Sequence, residues 1–127
     1  MHQKELENVF KLEPRKRYEY FIKKVADFEE VWGLRQGDGW ASTGDENARE
    51  YIAFWPKKEF ADLCAKEEWQ NYYAESIQLE EFIEQWLTGM GEDKVMASIF
   101  PNFLDNSVIV EPKQLLEHLN QELELYE

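Results

Sequence analysis

The sequence predicts an α+β fold: a mainly antiparallel sheet of about five strands with helices packed on it. Three observations predict it. Apolar residues recur at helical spacing in well-separated stretches. Between those stretches lie short aromatic and β-branched runs bounded by Gly-Asp-Gly and proline. And the 127 residues include 8 Phe, 6 Tyr and 5 Trp, enough bulk to fill the space between such layers.

The elements follow in order. Residues 1–12 are polar apart from Leu6, Val9, Phe10 and Leu12, a spacing that allows one or two loosely docked helical turns. Pro14 suits the first turn of a helix. From Arg15 to Glu30 the apolar positions Tyr18, Phe21, Ile22, Val25 and Phe28 form an i, i+3, i+4, i+7, i+10 stripe, an amphipathic helix. The period then falls to two at Trp32 and Leu34. Gly37-Asp38-Gly39 is a turn, Trp40 to Thr43 a short strand, and Gly44-Asp45-Glu46-Asn47 a second turn. In Arg49–Trp55, Tyr51, Ala53 and Trp55 face one way and Ile52 and Phe54 the other, so these runs read as a β-meander.

Pro56 ends that strand and opens a helix from Lys57 to about Lys66, with Phe60, Ala61 and Cys64 on one side. Residues 67–74 fit a short helix or a packed loop. Leu79, Phe82, Ile83, Trp86, Leu87 and Met90 give the cleanest helical stripe, which Gly89 or Gly91 can terminate. Lys94–Phe100 reads as a strand stopped by Pro101, Leu104-Asp105-Asn106 as a hairpin turn, and Ser107–Val110 as the return strand. A helix from Pro112 buries Leu116, Leu119, Leu123 and Tyr126. The order is α-β-β-β-α-α-β-β-α, without internal repeat or low-complexity linker, so residues 1–127 form a single domain with 1–12 as its loosely docked start.

Charge and cysteine content narrow the function classes. The net charge is −13. Residues 1–24 hold seven basic and four acidic groups, whereas residues 25–127 hold seven basic and 23 acidic ones. An acidic body repels nucleic acid and anionic membrane. Arg15-Lys16-Arg17 is too short and too interleaved with acids to reverse that, and reads as a solvated helix face or a dock for the acidic body. One cysteine excludes an internal disulfide framework. No apolar run approaches the roughly 18 residues of a membrane span, and the N-terminus lacks a signal-peptide core. A soluble cytoplasmic protein is expected.

No motif implies a reaction. Metal sites with His or Cys ligands need several such groups converging, and Cys64, His2 and His118 lie far apart in sequence. Asp45-Glu46 and Glu92-Asp93 do not match a calcium loop. Cys64 falls on the apolar face of its helix, which suits a small core residue better than a nucleophile. His118 beside Glu117 reads as a solvent-facing or capping histidine. There is no G-x-S-x-G elbow, no P-loop and no G-x-G-x-x-G. Glu80 and Glu84 lie on a solvated helix face and lack the cleft an acid–base pair requires. No cofactor and no metal are expected. What remains is aromatic: Trp32, Trp40 and Trp55 fall on or beside the first three strands, with Arg35 and Arg49 near them. Either the tryptophans are core, or Arg35, Trp40, Arg49 and Trp55 share an exposed patch of the composition favoured in binding hot spots.

Several longer matches carry a resemblance: Tyr18–Asp27 followed by Val31-Trp32-Gly33-Leu34, then Gly39-Trp40-Ala41, Phe54-Trp55-Pro56, Glu59-Phe60-Ala61, Cys64-Ala65, Ile77–Phe82, Trp86-Leu87 and Phe100-Pro101. From about residue 15 onward the chain resembles the small bacterial family catalogued as domain of unknown function number 2750. The resemblance implies a bacterial origin and a compact single domain, and no catalytic role. The order of elements also resembles the N-terminal domain of the enhanced-serine-sensitivity protein (SseB), in architecture alone, which tilts the expectation toward an interaction module.

The function expected from these features is a non-enzymatic domain that binds another protein, a basic one being favoured by the charge. The alternative is a small-molecule binder or enzyme with a pocket between the sheet and helix 79–90, lined by Trp55, Cys64 and Trp86. Mimicry of a phosphate backbone by the acidic body would need ordered rows of acids, and here they are spread over most helices.

Overall fold

The computed structural model describes residues 3–44, 47, 49–102 and 107–126. The expected hairpin turn at 104–106 and the middle two residues, 45 and 46, of the turn at 44–47 lie outside the described residues, as does His2.

Helix α1 (Gln3–Phe10) buries Leu6, Val9 and Phe10. Helix α2 (Pro14–Phe28) starts on its proline and ends where Glu29 turns left-handed (φ 57°) and its N–H bonds Val25 O at 2.8 Å. Its buried side is Arg17, Phe21, Ile22, Val25 and Ala26. Two positions depart from the predicted stripe. Phe28 is 49% exposed, and Arg17, expected on a solvated face, is 1% exposed. The helix packs on both β1 and the C-terminal helix, so its covered arc extends beyond one apolar stripe.

Strand β1 (Glu30–Gln36) turns at Gly37, whose φ of +58° suits glycine, into β2 (Gly39–Trp40), followed by β3 (Ser42–Gly44) and β4 (Glu50–Phe54). Ala41 is the corner of this meander. Its N–H donates to Leu34 O (2.8 Å) and its carbonyl accepts from Ala53 N–H (3.2 Å), so one strand leaves β1 and joins β4. Past the corner, Trp32 and Trp55 exchange both backbone bonds, at 2.9 and 2.8 Å.

Helix α3 (Lys58–Cys64) buries Phe60, Ala61 and Cys64. A 3-10 turn (Glu67–Trp69) leads into β5 (Tyr73–Gln78). That strand is missing from the sequence reading, because only Ile77 of its six residues is fully buried. Helix α4 spans residues 79–93, and its middle turn, Phe82–Trp86, is a π-helix. The wider turn explains the burial pattern: Leu79 and Phe82 are buried, and the next fully buried positions are Leu87 and Met90. Ile83 and Trp86 are only partly covered. The helix continues through both Gly89 and Gly91 and stops at Lys94, which is left-handed (φ 59°).

Strands β6 (Met96–Ile99) and β7 (Val108–Val110) precede helix α5 (Pro112–Glu124), which buries Leu115 and Leu119. Tyr126, placed in the apolar stripe by its spacing, lies past the helix end and is 56% exposed.

The α+β class holds, with seven strands among the described residues, in two sheets instead of about five strands in one, and with one of the two sheets mixed. One sheet runs β2-β1-β5, all antiparallel; the other runs β3-β4-β6-β7, with β4 and β6 parallel. A parallel neighbour requires a long crossover, and the stretch carrying α3, β5 and α4 provides it. Aromatic rings fill the space beneath α4: Phe54 meets Phe82 edge-to-face at 5.0 Å and Trp86 at 5.8 Å.

Candidate functional site

Register assembles a surface on the three-stranded sheet. Arg35 of β1 lies opposite Trp40 of β2 on one side and opposite Tyr73 of β5 on the other. Directly paired residues share a face, so Trp40, Arg35 and Tyr73 form one row across three strands. Gly33 and Glu75 form the next row on the same face.

Trp40 and Arg35 are held in place. An ideal Cβ on Gly33 would come within 2.9 Å of Cε3 and Cζ3 of Trp40, so the indole lies directly over the glycine. The same ring meets Trp86 of α4 edge-to-face at 4.8 Å. Above it sits the Arg35 guanidinium, 5.4 Å from the ring centre. Arg35 Nε donates to Gly37 O at 2.8 Å, and Nη1 donates to Glu75 Oε2 at 2.5 Å. Glu75 accordingly pushes the Arg35 pKa further above its ordinary value. The Arg35 and Glu75 side chains are about one-third exposed, and Tyr73 is 51% exposed. The result is a pre-ordered arginine between two aromatic side chains, open to solvent along the β5 side.

The four residues singled out in the sequence separate. Arg35 and Trp40 meet in this row. Arg49 is exposed and lies just before β4, on the other sheet. Trp55 belongs to the core and not to any surface patch: it is fully buried, and its indole N–H donates to Pro101 O at 3.0 Å. Tyr73 and Glu75 were missed, because without β5 nothing in the sequence assigns them a face. The one available signal was the alternation of Tyr73, Glu75 and Ile77 against Ala74, Ser76 and Gln78.

The expected small-molecule pocket does not gather its residues. Trp86 packs against Trp40 and Phe54. Cys64 instead joins Trp55 at the same carbonyl, its thiol donating to Pro101 O at 3.4 Å. A cleft of about 130 Å³ lies beside it, lined by Leu63, Cys64, Lys66, Glu67, Glu68, Trp69 and Asn102. Behind Cys64 lies a buried polar knot. Arg17 Nε donates to Phe100 O at 2.9 Å, and its Nη1 donates to Leu12 O. Burial lowers the Arg17 pKa, and a negative charge on Cys64 would raise it. Asn102 Nδ2 donates to Phe10 O at 3.3 Å. Backbone carbonyls thus accept from every side chain in the knot, an arrangement that ties segments together.

Two partly buried tyrosines allow a pH prediction. Tyr18 OH is 2.6 Å from His118 Nδ1, and burial raises its pKa to about 12. Tyr20 is also raised to about 12, by burial first and then by Glu5 and Glu59. An unfolded tyrosine ionises near about 10. Between those values the unfolded chain binds fewer protons than the folded one, so stability falls as pH rises past about 10 and levels off near 12. A tyrosinate absorbance titration should show a late fraction that merges with the main wave in denaturant. A single wave near about 10 in the native protein would contradict this.

Among the described residues, no group of three or more His, Cys, Asp or Glu is placed to hold a metal ion, and no helix is long and apolar enough to cross a membrane. Residues 18–119 match the family model described as Protein of unknown function (DUF2750). The chain belongs to the DUF2750 family. The match begins one residue after Arg17 and ends at Leu119, so the DUF2750 region contains both sheets and the whole Trp40–Arg35–Tyr73 row. No curated protein and no solved structure matches the chain.

Proposed function

We propose that this DUF2750 chain is a non-enzymatic protein-interaction module, acting in the cytoplasm as one domain, with the Trp40–Arg35–Tyr73 row as its contact face. The observation that carries the reading is the register Trp40↔Arg35↔Tyr73, which lines up the three residue types enriched in binding hot spots on one rigid face. Arg35 is already oriented by Gly37 O and Glu75, so little side-chain freedom is lost on binding. The strongly acidic body favours a basic partner, since long-range attraction speeds encounter and penalises acidic competitors.

The test compares captured proteins. Wild-type chain and the Arg35→Ala/Tyr73→Ala double variant are immobilised side by side and exposed to native lysate at low and high salt. The expected result is a protein held by the wild type, released by salt and missing from the variant. Identical capture by both, or no capture by either, counts against the reading. Both substitutions lie on exposed or partly exposed positions, so the variant should keep its fold, which circular dichroism checks.

A further inference from the structure

We propose that the outer edge of β5 accepts an extended, basic segment of a protein partner as an added strand. This deepens the interaction reading above and rests on it.

Backbone direction is the first support. Trp32 of β1 exchanges bonds with Trp55, and Leu34 O accepts from Ala41, so these residues turn their polar groups away from β5. In an antiparallel ladder alternate residues turn to opposite sides. Val31, Gly33 and Arg35 therefore bond β5, through their partners Ile77, Glu75 and Tyr73. The bond from Leu79 N–H to Glu29 O, at 2.9 Å, continues the same alternation. Ala74, Ser76 and Gln78 are left turning their N–H and C=O groups outward. β5 is the terminal strand in the order β2-β1-β5, and Ser76 and Gln78 are exposed.

The edge also lacks three of the usual protections against pairing: proline, lysine and a bulge. It is six residues long, contains no proline or lysine, and keeps an unbroken register from Glu30↔Gln78 to Arg35↔Tyr73, with no bulge. Strand addition at such an edge is a recurring mode of peptide recognition: the backbone gives affinity and alternate side chains give specificity.

Charge selects the occupant. Glu75 is the one charged residue of β5. Its own backbone is committed to β1, so on the outer side it forms a non-hydrogen-bonded pair, in which opposed side chains come closest. Its Oε2 is held by Arg35, so a Lys or Arg there joins as a second cation on a carboxylate that is still 37% exposed, and the body's charge of −13 favours it further. Two residues along, half-exposed Tyr73 favours an aromatic or β-branched neighbour. The fitting segment carries Lys or Arg opposite Glu75 and an aromatic or β-branched residue opposite Tyr73. A second copy of this chain is disfavoured, because two bodies of charge −13 repel.

The test uses random peptides displayed on phage and selected on the full-length chain. Selected peptides are then synthesised and titrated against wild type, Ser76→Pro, Ser76→Ala and Arg35→Ala/Tyr73→Ala. Ser76→Pro removes an outward N–H that the β1 ladder does not use, so the fold survives while the edge is blocked. We expect basic, proline-free peptides that lose roughly tenfold or more in affinity with Ser76→Pro and bind Ser76→Ala like wild type. Peptides that bind Ser76→Pro as tightly as wild type overturn the proposal. So do acidic peptides, an absence of binders, or a dimer of this chain that Ser76→Pro abolishes. Binding lost only in Arg35→Ala/Tyr73→Ala refutes the edge and spares the contact row; binding lost only in Ser76→Pro does the reverse.

Discussion

Arg17→Ala should destabilise the protein by on the order of 3–4 kcal/mol, read as a lower midpoint in urea unfolding. Arg17 is 1% exposed, and its guanidinium serves Leu12 O and Phe100 O from one planar group. Truncation leaves the buried Phe100 carbonyl without its donor, at about 1–3 kcal/mol, and the part-buried Leu12 carbonyl as well, at less. It also empties the space filled by the aliphatic stem. Arg17→Met keeps the stem and removes the buried charge, so it should cost about 1–2 kcal/mol less than alanine. A change below about 1 kcal/mol for Arg17→Ala would show that the knot does not hold the N-terminal segment.

Phe100→Ala should cost about 3–5 kcal/mol, the range for losing a fully buried phenylalanine. The ring lies 4.7 Å from Phe60 and 6.1 Å from both Phe10 and Tyr20, so the cavity opens at the centre of the aromatic layer. The backbone makes a sharper prediction possible. Phe100 has φ +61°, a conformation in which Cβ crowds the carbonyl and only glycine is free of the cost. Phe100→Gly should therefore be less damaging than Phe100→Ala by about 1 kcal/mol, although it removes one more carbon. Equal or reversed stabilities in parallel denaturant curves would mean that the left-handed turn is not retained.

These two residues show what a sequence can and cannot disclose. Helices α2 and α4 and the strand starting near Val31 are legible because their apolar residues follow a single period. Strand β5 is not, since an edge strand with one fully buried residue has almost no apolar alternation to read. The π turn in α4 is equally hidden: sequence spacing assumes 3.6 residues per turn, and only packing shows that Phe82 and Leu87 are successive contacts. Arg17 looks like a surface cation because its value lies in one carbonyl of the preceding turn, Leu12 O, and one 83 residues away, Phe100 O, and no helical periodicity encodes either. The candidate site divides the same way. Arg35 and Trp40 are joined by a short hairpin and were found together. Tyr73 and Glu75 come from 38 and 40 residues further along than Arg35 and depend on a strand pairing the sequence did not reveal. Sequence context treats Trp55 and Trp40 alike, and only the bond to Pro101 O and its full burial distinguish Trp55.

The most direct measurement of the contact-face reading is site-specific photocrosslinking in the native host. A photoreactive residue is placed at Tyr73, beside Arg35 and Trp40, and separately at Ile109, an equally open position on β7 of the other sheet (44% exposed). If the row is the contact face, position 73 yields one discrete protein adduct that salt disfavours, and position 109 does not. No adduct at 73, or the same adduct from both positions, would contradict it.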